Sequence, residues 1–131
     1  MSKPMEKTVL VVEDDENIVL SLTFLLEKSG FATRVVGDGN SALGEMRAAK
    51  PDVVLLDISM PGRSGIDALA DIQSASAGTR ILILSMHPED QYAIRCLRDG
   101  ADGYLTKESA PELLLGAIRK IHSGGKYISP M

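Results

Sequence analysis

Cysteine, tryptophan and basic runs are what this sequence has least of. There is one cysteine, no tryptophan, and only two Phe and three Tyr. A lone cysteine makes no internal disulfide. Cys96 sits in a helical pattern beside Ala93 and Leu97, the setting of a small buried apolar residue rather than a redox centre. So few aromatics argue against a stacking platform for bases or a flavin. The net charge is −4 with no block of lysine and arginine, so this domain by itself is a poor candidate for binding nucleic acid or a membrane surface. The longest apolar runs are four or five residues, far short of the ~20 that cross a bilayer. The opening MSKPMEK has no hydrophobic signal core, and a cytoplasmic protein is expected.

What is present is a regular alternation. A chain of 131 residues is one domain by length and can bury a single core. Short β-branched runs occur near residues 8–12, 33–36, 52–56, 80–84 and 102–106. Amphipathic helical stretches lie between and after them. Ile18, Leu22, Leu25 and Leu26 share one face in 16–29, and Ala42, Leu43 and Met46 do so in 39–49. Ile66, Leu69, Ala70 and Ile72 follow less regularly in 64–76. A fourth helix is expected over 88–99, with Pro88, Glu89 and Asp90 in its first turn. A fifth starts at Ser109-Ala110-Pro111-Glu112, read as a capping box. It continues through Leu113, Leu114, Ala117, Ile118 and Ile121 and stops at Gly124-Gly125. Alternating βα units predict a parallel sheet with helices on both faces, and the near-continuous apolar strands fit burial on both sides. In such sheets ligands lie beyond the carboxyl ends of the strands.

Those ends are where the polar groups fall. Val9-Leu10-Val11-Val12 runs into Glu13-Asp14-Asp15. Val53-Val54-Leu55-Leu56 runs into Asp57. Ile81-Leu82-Ile83-Leu84 runs into Ser85, and Gly103-Tyr104-Leu105-Thr106 into Lys107. Taken singly, each has a plain structural reading: acids capping a helix, a serine in a turn, a solvated lysine. Together they place an acid cluster, a hydroxyl and an ammonium at one site. Clustered carboxylates repel unless a cation neutralises them, and magnesium takes one or two carboxylates plus other oxygens. Glu13 and Asp14 are the expected pair, while Asp15 is expected to begin the first helix. Asp57 could serve as metal ligand, as nucleophile forming an acyl phosphate, or as both.

The segments VLVVEDDEN, PDVVLLDISMPGRSGID, ILILSMH and GADGYLTKES, in this order over about residues 7–128, resemble the receiver domain of a two-component response regulator. The resemblance implies a flavodoxin-like (βα)5 three-layer sandwich with a five-stranded parallel sheet of order 2-1-3-4-5. It implies that Asp57 accepts a phosphoryl group from a sensor histidine kinase. Mg²⁺, or Mn²⁺ in its place, would be held by Asp14 directly, by Asp57, by the Ser59 carbonyl, and by Glu13 partly through water. Ser85 and Lys107 match the hydroxyl and ammonium that hold phosphoryl oxygens, and Tyr104 matches the aromatic switch. Ser59 and His87, each two residues beyond a site residue, are candidates for tuning dephosphorylation; His87 reads equally well as a helix cap.

Glu108 stands where many receivers have proline. With LSMH and GADGYLTKESAPELLLGAIRKIHSGGKYISP it resembles the LuxR-type subfamily, which carries a helix-turn-helix output. The opening half is more like receivers that precede a winged helix, so the output type stays open. The expected organisation is a leader over 1–6, a receiver over 7–123, and the start of a linker over 124–131 toward a possible output domain; a stand-alone receiver is the alternative, and control of a transcriptional output is the expected role. The resemblance implies a protein that catalyses its own phosphorylation and slow dephosphorylation without being a multiple-turnover enzyme. It also implies a possible homodimer through the fourth helix, fifth strand and fifth helix. Three other readings compete. A phosphohydrolase with an aspartyl nucleophile would often carry a second Asp at position 59, where this chain has Ser59. A flavodoxin-like cofactor binder would carry a Ser/Thr/Gly phosphate loop after the first strand, where this chain has Glu-Asp-Asp. A degenerate receiver that only binds partners would not keep the full site set.

Overall fold

The computed structural model describes residues 7–58, 65–75, 78–85 and 91–128. The elements follow as β1 (Thr8–Val12), α1 (Glu16–Lys28), β2 (Ala32–Val36), α2 (Gly39–Ala48), β3 (Val53–Asp57), α3 (Gly65–Ala75), β4 (Arg80–Ser85), α4 (Gln91–Arg98), β5 (Gly103–Thr106), α5 (Ala110–His122) and β6 (Tyr127–Ile128). All sheet pairings are parallel, and the strand order is β2-β1-β3-β4-β5-β6. The five expected strands thus lie in the order 2-1-3-4-5. A two-residue sixth strand is added beside β5, within the stretch read from sequence as the start of a linker.

Strand alternation sorts the core into two layers. Val9, Val11, Val53, Leu55, Leu82, Leu84 and Leu105 face α1 and α5, meeting Leu22, Leu26, Leu114, Ala117, Ile118 and Ile121. Leu10, Val12, Val54, Leu56, Ile81, Ile83 and Tyr104 point the other way, to Ala42, Met46, Leu69, Ile72 and Cys96. Each of the Val, Leu, Ile and Met side chains among them contributes about 1.5–3 kcal/mol by leaving water. The inner strands are therefore apolar on both faces, and only their ends are left to carry chemistry. Cys96 is fully buried, as expected. Ala70 is not: Leu69 and Ile72 face inward while Ala70 is exposed, since each helical residue turns the chain by about 100°.

The capping chemistry is part expected and part not. Asp15 caps α1, its carboxylate accepting from the Asn17 and Ile18 amides. Asp38 does the same for α2 at the Ser41 amide. The capping box at α5 does not form. Ser109 has helical backbone angles and its side chain makes no cap hydrogen bond. Its hydroxyl turns instead to the Thr106 side chain. The first turn of the fourth helix, with Pro88, Glu89 and Asp90, lies outside the described residues.

Candidate functional site

Register assembles the site. β1 pairs with β3 so that Val12 lies opposite Leu56, and β3 pairs with β4 so that Asp57 lies opposite Leu84. β4 and β5 end together, with Ser85 opposite Thr106. Main-chain bonds continue the alignment just past the strands: Glu13 N donates to Val36 O, Ile58 N to Leu84 O, and Lys107 N to Ser85 O at 2.8 Å. Glu13, Asp57, Ser85 and Lys107 therefore share one end of the sheet, as the sequence led us to expect.

The side chains meet there. Lys107 Nζ donates to Asp57 Oδ2 at 2.7 Å and to Glu13 Oε1 at 3.2 Å. Glu13 Oε1 also accepts the Asp15 amide at 3.0 Å. Glu13 and Asp57 are buried to within 1% of full enclosure, and Ser85 completely. Lys107 keeps a small opening to solvent, while Asp14 is exposed.

The electrostatics are unbalanced. If all are ionised, three carboxylates share one ammonium. Burial drives the Glu13 carboxyl up from 4.5 to about 7; the Asp15 amide opposes the rise, the negative charge and hydrogen bond of Asp57 reinforce it, and Lys107 offsets part of it. Burial alone would lower the Lys107 pKa, but the Asp57 hydrogen bond and charge, then Glu13, outweigh it and raise it. Glu13 Oε2 is buried and accepts no hydrogen bond from the described residues. An orphaned acceptor of this kind is costly unless something positive meets it.

Ligand oxygens of Glu13, Asp14 and Asp57 lie within 4.8 Å of one another. An all-oxygen, anionic donor set with an unsatisfied buried oxygen fits a hard divalent cation. Ser59, expected to lend its carbonyl, and His87, expected to tune dephosphorylation, lie outside the described residues. Tyr104 is fully buried within the layer facing α2, α3 and α4.

Thr106 was missed in the sequence. It is largely buried, its Oγ1 accepts the Ser109 amide, and it shares a hydrogen bond with the Ser109 hydroxyl. This closes the turn that carries Lys107. The signal in the sequence is a hydroxyl residue on either side of Lys107, Thr106 and Ser109, of which Ser109 by itself reads as the start of a capping box.

A parallel α/β sheet with acids, a hydroxyl and a lysine gathered beyond its strand ends defines a class of phosphoryl-handling domain. Comparison with known proteins gives the family: residues 9–119 match the response regulator receiver domain, and the chain belongs to that family. It is 37% identical over 115 residues to the DNA-binding response regulator MtrA of Mycobacterium tuberculosis, covering 88% of this chain and 50% of that protein. It is 37% identical over 124 residues to the response regulator UvrY of Escherichia coli O157:H7, covering 92% and 56%. The chain spans about half the length of the curated relatives it matches. Among solved structures, a LuxR-family two-component response regulator from Aurantimonas sp. SI85-9A1 superposes with a TM-score of 0.88 at 32% identity, covering 96% of this chain and 91% of that one. A response regulator from Burkholderia pseudomallei, solved with a phosphorylated aspartic acid, calcium ion and citrate, superposes with a TM-score of 0.81 at 30% identity, covering 90% and 69%.

Proposed function

We propose that Asp57 is the phosphoacceptor of this receiver domain and that the donor is a phosphohistidine on a sensor kinase. The observation that carries this is the pairing of Lys107 with Asp57 at 2.7 Å inside an otherwise acidic, enclosed strand end. A carboxylate oxygen of Asp57 attacks phosphorus, the P–N bond to the imidazole breaks, and an acyl phosphate is left on Asp57. Lys107 holds one transferred oxygen and Ser85 another. An ammonium about 4 Å from the phosphoryl group contributes roughly 4 kcal/mol of Coulomb attraction at an effective dielectric near 20, before desolvation.

Mg²⁺, with Mn²⁺ as a substitute, would be held by Asp14 and Asp57, by Glu13 and by the Ser59 carbonyl, and would supply charge neutralisation for the incoming phosphoryl oxygens. The orphaned Glu13 oxygen supports that donor set. The burial of Glu13 and Asp57 limits water at the acyl phosphate. Ser59 and His87 are the proposed controls on its hydrolysis. The chain turns over its own phosphoryl group and is not a multiple-turnover enzyme.

Ser85 and Tyr104 are the proposed switch. Ser85 moves toward the phosphoryl group, space opens behind it, and Tyr104, already fully buried, turns inward into that space. Phosphorylation then reweights states that already exist. The surface that changes is that of α4 and β5, and with α5 it is the proposed homodimer face. The DNA-binding role in the name of one relative supports a transcriptional output, which we place in the cytoplasm; the net charge of −4 supports a domain that does not itself contact nucleic acid. No helix among the described residues is long and apolar enough to cross a membrane. Incubation with acetyl phosphate and Mg²⁺ tests the reading: one phosphoryl group should appear, labile to hydroxylamine as an acyl phosphate is.

A further inference from the structure

Thr106 is a hydroxyl residue in a place where an apolar one would pack as well. It ends β5 opposite Ser85 and is only 8% exposed. A buried hydroxyl is costly unless it is hydrogen-bonded, and this one is bonded to Ser109, three positions on. The Ser109 amide donates to Thr106 Oγ1 at 3.2 Å, and the two hydroxyls share a hydrogen bond. The Ser109 hydroxyl also reaches the Thr106 carbonyl oxygen at 3.4 Å. Side chains thus close the turn that holds Lys107 and Glu108.

Ser109 forgoes its usual task for this. It stands at the N-cap of α5, where a serine ordinarily accepts an amide of the first turn, yet it caps none. Pro111 in that turn has no N–H to offer it. Lys107 lies between the two hydroxyl residues, and its backbone is tied on both sides. Its amide donates to Ser85 O at 2.8 Å, which fixes it to β4. The Thr106–Ser109 pair fixes it to α5. From that point the side chain reaches Asp57 at 2.7 Å and Glu13 at 3.2 Å. A lysine is a point charge on a flexible four-carbon stem, with no aim of its own. Its aim comes from where its backbone is held.

We propose that Thr106 and Ser109 are positioning residues for phosphoryl transfer: their paired hydroxyls hold the turn so that the Lys107 ammonium meets the phosphoryl oxygens arriving at Asp57. The inference rests on the proposed role of Lys107 and deepens it. Neither hydroxyl touches the phosphoryl group; both act through the lysine. A misplacement of about 1 Å at a reacting group costs on the order of 100-fold in rate. The Ser85 bond remains when the pair is broken, so the loss expected here is smaller, about tenfold.

Labelling rates with acetyl phosphate and saturating Mg²⁺ test it. Thr106→Val keeps the branched strand side chain and removes the oxygen; it should be labelled about tenfold more slowly than wild type. Thr106→Ser keeps the oxygen and should stay near wild type. Ser109→Ala, at a half-buried position, should show a smaller loss, and it carries the test if Thr106→Val does not fold. Mg²⁺ affinity should be unchanged in all three. In a Lys107→Ala background Thr106→Val should slow labelling no further, because residues that act through one another are not additive. Acylation of the metal-free protein by acetic anhydride, mapped peptide by peptide, follows the ammonium without phosphoryl chemistry. Lys107 should react several-fold faster in Thr106→Val, while the exposed Lys28 and Lys120 react as in wild type. Equal labelling of Thr106→Val and wild type would overturn the proposal. So would a loss that persists without Lys107, which would make Thr106 a residue of the fold alone. If wild type takes no label, the phosphoacceptor reading fails. The acylation arm then decides by itself, and equal Lys107 reactivity in the two proteins would show that Thr106 does not aim the ammonium.

Discussion

Lys107 and Asp57, fifty positions apart in the chain, are joined by a 2.7 Å ion pair at the end of the sheet. The pair is almost enclosed, and Glu13 shares the same ammonium at 3.2 Å. Removing one partner of an enclosed pair leaves uncompensated charge, which costs more than the pair contributes. Lys107→Ala should therefore destabilise the metal-free protein by about 3 kcal/mol at pH 8. Urea unfolding with and without Mg²⁺ checks this, and the gap should narrow when Mg²⁺ replaces the lost positive charge.

Glu13 gives a pH dependence of defined sign. Its folded-state pKa, pushed up to about 7, lies above the ordinary 4.5. Between those values the folded state holds a proton that the unfolded chain releases, so stability falls as pH rises. The Glu13 contribution is fully present below pH 4.5 and is lost as pH climbs through about 7. In metal-free protein Glu13→Gln should remove this slope and be more stable than wild type at pH 8. Denaturant midpoints over pH 4–9 should show the two curves diverging as pH rises.

Magnesium should raise the melting temperature, because a ligand bound by the folded state alone stabilises it. At a hundredfold excess over Kd the gain is about 2.7 kcal/mol. Asp14→Ala should reduce that gain more than Glu13→Ala, since Asp14 is the proposed direct ligand. Equal gains in wild type and Asp14→Ala would place the cation elsewhere.

Tyr104 is fully enclosed, so its ring is part of the core as well as the proposed switch. Tyr104→Ala should cost about 3–5 kcal/mol, as other large aromatic truncations do. Tyr104→Phe keeps the ring and should cost much less. Equilibrium unfolding of both variants separates the packing role from that of the hydroxyl.

Much of this arrangement was legible in the sequence because a doubly covered sheet leaves a strong trace. Val53 through Leu56 must be apolar on both faces, so Asp57 stands out as the polar residue at which that apolar run ends. The same logic marked Glu13, Ser85 and Lys107, and the structure brings all four to one place. Other features left weaker traces. A two-residue strand such as Tyr127–Ile128 has no periodicity, and the Gly-Gly before it read as a helix stop followed by linker. Ser109 followed three residues later by Glu112 matches a capping box, yet the nearer Thr106 hydroxyl takes the Ser109 side chain. Ala70 falls one position off an inward face, a difference that an irregular apolar pattern does not resolve.

The phosphoryl group should go to Asp57 and to no other residue. Wild type and Asp57→Asn should be incubated with acetyl phosphate and Mg²⁺, then compared by intact mass and peptide mapping. Wild type should gain one phosphoryl group on the peptide containing Asp57, and the variant should gain none. Equal labelling of Asp57→Asn, or full labelling of wild type in excess EDTA, would contradict the assignment of this acidic strand end as the phosphoacceptor site.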